Sequence, residues 1–236
     1  MTTTPHPDQV RLPGQAAAPD GPIDMYPMYL MHHAFRRDLD RFVAAATRTP
    51  ADDRRTWHRL VRRWDVFAKA LHDHHRSEDR YIWPYLAGRV DDAERRVLAE
   101  MEAEHGRIDP LLAACRHGLE SMTEAASEER RTALRATLEA ARNVLGEHLG
   151  HEETDAIPVI QRRIPLEEWR RLEKEELRKE SRLTDVLVVV PWALDGVPDD
   201  VRERVFAAPG GAAFKVLWRL TRGRFARREA RAFRYA

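Results

Sequence analysis

Six side chains in this sequence have the types and spacing to do chemistry together: His32, His74, Glu78, His105, His148 and Glu152. Four of them form a repeat. His74-x3-Glu78-x5-Pro84 matches His148-x3-Glu152-x5-Pro158, and an acidic residue follows each glutamate, Asp79 in one copy and Glu153 in the other. A histidine and a glutamate four positions apart share one face of a helix, so each pair can grip one site. Imidazoles and carboxylates without thiolates suit iron, manganese or zinc. Two related carboxylates, Glu78 and Glu152, suit a pair of such ions with the carboxylates bridging them. A ferritin-type site would be richer in glutamate, with its histidine three residues after a glutamate. The imidazole-rich pattern favours iron, and Lewis-acid or redox chemistry on a small diatomic or a peroxide.

The elements that must position these residues are helices, because helical periodicity dominates from about residue 24 onward. The first is expected from Asp24 to Thr47, the second from Asp52 or Asp53 past Trp83-Pro84 to about Arg89, the third from Asp91 to about Thr123, and the fourth from Ser127 to Arg163. Apolar residues recur on each at alternating spacings of three and four, as a core-facing seam requires. Examples are Met25, Met28, Phe35, Leu39 on the first helix and Leu134, Leu138, Ala141, Leu145 on the fourth. Each seam is interrupted by His or by His and Glu. A buried ionisable group without a partner costs several kcal/mol, so these interruptions need something to bind. Short connections favour an antiparallel up-down-up-down four-helix bundle. With a rise of about 1.5 Å per residue, all the interruptions then fall at one height near mid-bundle. Any one of the six alone reads as a satisfied core polar group; six in register read as a metal site.

The neighbouring histidines are sorted by the same seam. His33, His75 and His151 sit beside it, and are expected around the ligands or on the surface, with His75 and His151 close enough to substitute for a ligand. Tyr29 and Tyr81 lie near the site level, as hydrogen-bond donors or simply as core.

The stretches MHHAFRRDL (31–39), HHRSEDRYIWPYL (74–86), EAEHGRIDPLL (102–112) and HLGHEETDAIPVI (148–160) resemble the hemerythrin-like, or HHE cation-binding, family. The resemblance covers about residues 25–163 and implies an antiparallel four-helix bundle holding two non-haem iron ions, oxo- or hydroxo-bridged. It implies His32, His74, His105 and His148 as ligands, with Glu78 and Glu152 as bridges; zinc and manganese are alternatives. Oxygen-carrying members have two histidines four apart on the third helix. Here only His105 is present, with Met101 four before it and Asp109 four after. One imidazole fewer leaves an extra open position on one iron, which fits sensing or peroxidase- or catalase-like turnover better than reversible oxygen carriage.

The whole chain of 236 residues has a formal net charge of +1 and is 43% hydrophobic and 33% charged, so it is not basic throughout. Its one cysteine, Cys115, excludes an internal disulfide and fits a reducing compartment. No apolar run is long enough to span a membrane and the N-terminus lacks a secretory core, so a cytoplasmic address is expected. The organisation expected is all-α: a disordered tail (1–23), the bundle (24–164), and a C-terminal helical extension (165–236) ending in a basic arm. A mostly charged helix should follow Pro165. The apolar run VLVVVPWAL (186–194) reads as a segment packed on the bundle, or as a lid or dimer contact. The arm combines Trp218 and Phe225 with Arg219, Arg222, Arg224, Arg227 and Arg228. It would suit a membrane surface, a homodimer partner or a fold back onto the bundle, and no nucleic-acid motif is evident. Two other readings stand beside the redox one: an iron-responsive regulatory module, and a metal-stabilised structural bundle without catalysis.

Overall fold

Each long helix starts where the sequence supplies acceptors for its unpaired N–H groups. Asp53 accepts from the Thr56 N–H, Ser127 accepts from the Arg130 N–H, and Asp91 with Glu94 forms a reciprocal capping box. The computed structural model describes residues 6–174 and 183–236, without the side chains of 183–185, and is all-helical with no strand among those residues. The helices are α1 (Tyr26–Arg48), α2 (Arg54–Ser77), α3 (Trp83–Ala87), α4 (Asp92–Glu124), α5 (Glu128–His151), α6 (Ile157–Arg163), α7 (Leu166–Leu172), α8 (Leu183–Ala193), α9 (Asp199–Ala207) and α10 (Gly211–Ala232). α1 packs against α5, α5 against α4, and α4 against α2. α1 and α2 touch each other sparingly, and α8 and α10 lie over the seam between them.

The second and fourth expected helices are not uniform. Each contains one wide π-helical turn, Glu78–Ile82 between α2 and α3, and Glu152–Ala156 between α5 and α6. In both, the glutamate carbonyl accepts from the N–H five residues on, of Trp83 and of Ile157. The proline one step further has no N–H to give and would crowd a tight α-turn, so the extra residue relieves it. The repeated x5-Pro spacing therefore encodes two π-turns, each opening at a glutamate of interest.

The core divides at mid-bundle. One apolar cluster, with Phe35, Phe42, Trp57, Trp64, Phe67, Leu119 and Leu138, fills one end; another, with Met25, Tyr29, Leu86, Met101, Ile157 and Ile160, fills the other. Cys115 is in the first, and burial pushes its thiol up to about 12, so it is an inert core group.

The N-terminal segment differs from the disordered tail expected over 1–23. Residues 1–5 lie outside the described residues, but Val10, Leu12 and Ile23 are buried against the bundle. Polar side chains satisfy the segment's backbone in place of regular structure. The Gln9 amide reaches the Ile23 carbonyl and the Met25 N–H, and Gln161 pairs with both backbone groups of Ile23. A Cβ at Gly21 would stand 2.2 Å from Gln161 Oε1, so only glycine allows that pairing. These contacts are sparse and aperiodic, which is why composition hides them.

The C-terminal extension is tied down by a buried polar network. Trp192 of α8 is fully buried beside Phe35, with ring centroids 5.5 Å apart, and its indole N–H donates to Asp38 Oδ2 at 2.7 Å. Arg63 bonds both Asp38 and Glu229 of α10, the latter at 2.7 Å, and Arg37 donates to the Trp192 carbonyl at 2.9 Å. The run at 186–194 is thus a packed segment. Of the charged helix expected after Pro165, α7 is seen through Leu172; its continuation over 175–182 lies outside the described residues. α10 presents Arg219, Arg222, Arg224, Arg227 and Arg228 to solvent. Among the described residues, no helix is long and apolar enough to cross a membrane.

Candidate metal centre

Between the two apolar clusters sits a layer of buried imidazoles and carboxylates. His32 comes from α1, His74 and His75 from the last turn of α2, His105 from α4, and His148 from the last turn of α5. Glu78 and Glu152 open the two π-turns. Two triads have donor atoms close enough to hold one ion each: His75, His105 and His148 form one, and His32, His74 and Glu152 the other. Glu78 spans both. Its Oε1 is 3.1 Å from His74 Nε2 and its Oε2 is 3.6 Å from His105 Nε2. Glu152 spans them too, with Oε2 3.2 Å from His32 Nε2 and 4.0 Å from His148 Nε2.

The six residues expected to converge are therefore together, and a seventh joins them. His75, placed beside the seam by its spacing, lies inside the cluster with its ring stacked on His105 at 4.0 Å between centroids. Consecutive helical residues point about 100° apart. α2 passes the cluster so that both His74 and His75 reach it, one toward each triad. A seam drawn at single positions could not register this. The donor atoms of His75 thus lie with those of His105 of α4 and His148 of α5.

Orientation of the rings is fixed from outside. Glu153 accepts from His32 Nδ1 at 2.8 Å, Asp79 from His105 Nδ1 at 2.9 Å, and Glu104 from His148 Nδ1 at 2.8 Å. Each of these carboxylates leaves the Nε2 lone pair of its histidine turned inward, the arrangement that orients a metal-binding imidazole. Glu153 is itself clamped by both Arg36 nitrogens and by the Ala16 N–H of the N-terminal segment at 2.6 Å. Asp79 and Glu153 are the acidic residues that follow the two glutamates; Glu104 carried no sequence signal.

The remaining expected residues are placed as follows. His151 Nδ1 bonds Glu104 at 3.0 Å, so it touches the cluster only through that carboxylate. His33 points away, with Nδ1 3.5 Å from the Pro13 carbonyl, into a separate pocket lined by Arg36, Arg37, Arg41 and Arg142. Tyr29 is buried, and burial followed by the charges of Glu153 and Glu152 pushes its hydroxyl well above the usual range. Tyr81 is half-buried with Arg80 over its ring at 5.3 Å.

The inner atoms meet no group outside the cluster, and their approaches to one another, such as His32 Nε2 to Glu152 at 3.2 Å, do not make well-formed hydrogen bonds. His32 Nε2, His74 Nε2, both nitrogens of His75, His105 Nε2, His148 Nε2 and all four oxygens of Glu78 and Glu152 are buried and unsatisfied. Such a concentration of orphaned acceptors is rare in folded proteins and demands a counter-charge. The electrostatics agree. Burial, then the charges of Glu152 and Asp79, raise the Glu78 carboxyl well above its ordinary value. Burial opposes ionisation of Glu152 as well, but His32, His74 and His148 outweigh it and hold that carboxyl low. Burial lowers His74 to about 3 and drives His75 further down, keeping both neutral and able to donate a lone pair. The donor set fits cations.

A buried nitrogen-and-oxygen cage between helices, ringed by orienting carboxylates, defines a cation-binding helical bundle. The hemerythrin HHE cation binding domain matches residues 26–160, more than half of the chain, and the chain belongs to that family. No curated protein and no solved structure matches it.

Proposed function

We propose that the chain is a non-haem di-iron protein with His32 and His74 on one iron, His75, His105 and His148 on the other, and Glu78 and Glu152 bridging them. The observation that carries this reading is the ring of buried Nε2 and carboxylate atoms at mid-bundle, which face only one another. We place the four long elements in an antiparallel up-down-up-down bundle, the arrangement that lets α1, α2, α4 and α5 each deliver ligands to one layer. Iron is favoured over zinc or manganese by the family and by the imidazole-rich donor set.

Bound iron would supply Lewis-acid and one-electron redox chemistry, and the ligand or substrate is dioxygen, peroxide or nitric oxide in a cytoplasmic setting. The chain's own residues make the two sides unequal. Three imidazoles face one ion and two the other, and the side with fewer donors includes His74, whose side chain is the most exposed of the ligand set at 9%. Incoming small molecules therefore meet the His32/His74 side. Tyr29, buried near Glu152 and Glu153 with its hydroxyl held protonated, is a hydrogen-bond donor for that side. The regulatory alternative needs the C-terminal extension to be released by metal loss. Its ion-pair anchorage runs through Asp38, Arg63 and Glu229, none of them a member of the cluster, which favours the redox reading instead.

Elemental analysis of purified protein, with its absorption spectrum before and after dithionite and peroxide, tests the proposal. Two irons per chain and a charge-transfer band lost on reduction are expected. His74→Ala and Glu152→Ala should lose most of the metal, while His117→Ala, at an exposed histidine of α4 outside the cluster, keeps it. Equal metal in all three variants refutes the ligand assignment.

A further inference from the structure

A cleft of about 990 Å³ runs from the outer surface to His74 and Glu78. It occupies the sparse seam between α1 and α2, with α7 and α8 forming the far wall. A dioxygen or peroxide molecule needs the room of one or two waters, about 30 Å³ each. The cleft exceeds that need more than tenfold and matches the upper end of sites that hold small organic molecules, about 1,000 Å³. Its walls are largely apolar: Met25, Met28, Met31, Ile82, Val188 and Trp169. Three of these are methionines one turn apart on or just before α1, unbranched side chains that adapt to a flexible apolar ligand. Charged Lys69 and Arg170 also line the cleft and are exposed, marking its solvent end. The inner end is closed by the His74 and Glu78 side chains, whose Nε2 and carboxylate oxygens lie buried just behind that wall, 3.1 Å apart at their nearest.

We propose that this cleft binds an elongated apolar organic molecule with one oxygen-bearing end, its chain along the methionine wall and its oxygen directed at His74 and Glu78. The site's ligand is then an alkyl-chain alcohol or peroxide class of compound and not only a free diatomic. The oxygen end suits a hard, oxygen-preferring cation. The apolar walls supply affinity through burial, and the protein's narrow exposure at His74 makes the cleft the route by which the chain reaches the ions. The orientation of the ligand rests on the di-iron reading; the existence of the binding cleft does not.

Calorimetric titration of the metal-loaded protein with 1-decanol, using methanol as the control that carries the hydroxyl without the chain, is the test. Saturable decanol binding with a negative heat-capacity change is expected, and none for methanol at the same concentrations. Val188→Trp and Met28→Trp, which fill the cleft from opposite walls, should each weaken decanol at least tenfold with metal content and helicity unchanged. Decanol should also shift the absorption spectrum of the loaded protein. No saturable binding, or equal affinity in both variants, overturns the proposal, and binding without a spectral shift overturns the orientation. Wild-type protein that takes up no metal yet binds decanol refutes the di-iron reading and upholds the cleft. Metal-loaded protein that ignores decanol does the reverse.

Discussion

His75 and His33 have the same residue type, each lies next to a histidine of the cluster, and both are buried. They differ in what their rings face. His75 has two unsatisfied nitrogens in the His105/His148 triad, whereas His33 looks toward the Pro13 carbonyl and a row of arginines. His75→Ala is expected to cost about half the bound metal or more by elemental analysis, and His33→Ala none. The outer carboxylates act through the rings they hold. Asp79→Asn and Glu153→Gln should leave the fold intact and weaken metal affinity by about 10- to 100-fold, as loss of an orienting partner typically does. A chelator competition with a chromophoric indicator reads that directly, and unaltered affinity in both variants would remove the orienting role.

Among the elements, the two π-turns and the α8 anchor are the features on which the site's placement depends. Each π-turn lets a glutamate begin a new register directly after a ligand-bearing helical turn, so His and Glu reach the same layer while the proline beyond is accommodated. The anchor is Asp38. Burial opposes its charge, but Arg63 and Arg37 outweigh burial and hold the carboxyl below the usual range. Its folded value is depressed, so its contribution is complete above the unfolded aspartate value of about 3.9 and fades as pH falls through the folded value. Asp38→Asn leaves Arg63 and Arg37 short of a buried counter-charge. A loss of about 3 kcal/mol is expected, which is about 6–12 °C in melting temperature for a chain of this size. The variant's melting temperature should also respond less than wild type's to acidification in that window.

At the scale of the whole molecule, the N-terminal segment and the C-terminal extension both close over the metal layer. The segment does so through the Ala16 N–H on Glu153, the extension through Trp192 on Phe35, which in turn lies 5.4 Å from His74. Deleting residues 6–22 should therefore loosen Glu153 and lower metal affinity without removing any ligand. Metal binding is coupled to folding in such a cage, because a preformed site does not exist in the unfolded chain. Thermal denaturation with and without a strong chelator should show a stabilisation of about 4 kcal/mol when free metal exceeds its dissociation constant about 1,000-fold. Glu152→Ala should melt at the same temperature in both conditions. A wild-type chain indifferent to the chelator would mean that the cluster is held together by its own ion pairs.

The sequence by itself determined the helices, their caps and the polar interruptions of their seams. These depend on local spacing and on side chains within a few residues of one another, as with Asp91 and Glu94 or His148 and Glu152. Even the π-turns were written locally, in the repeated interval from glutamate to proline. Tertiary structure alone decided that His75 turns inward while His33 turns out, since adjacent helical residues are separated by rotation and only the neighbouring helices say which direction is the centre. It alone decided that Glu104 of α4 holds His148 of α5, that Ala16 caps Glu153, and that a tail poor in apolar residues is pinned by Gln9 and Gln161. Those pairings join residues far apart in the chain, where no periodicity links them, and they form only once packing has brought the partners within hydrogen-bond reach.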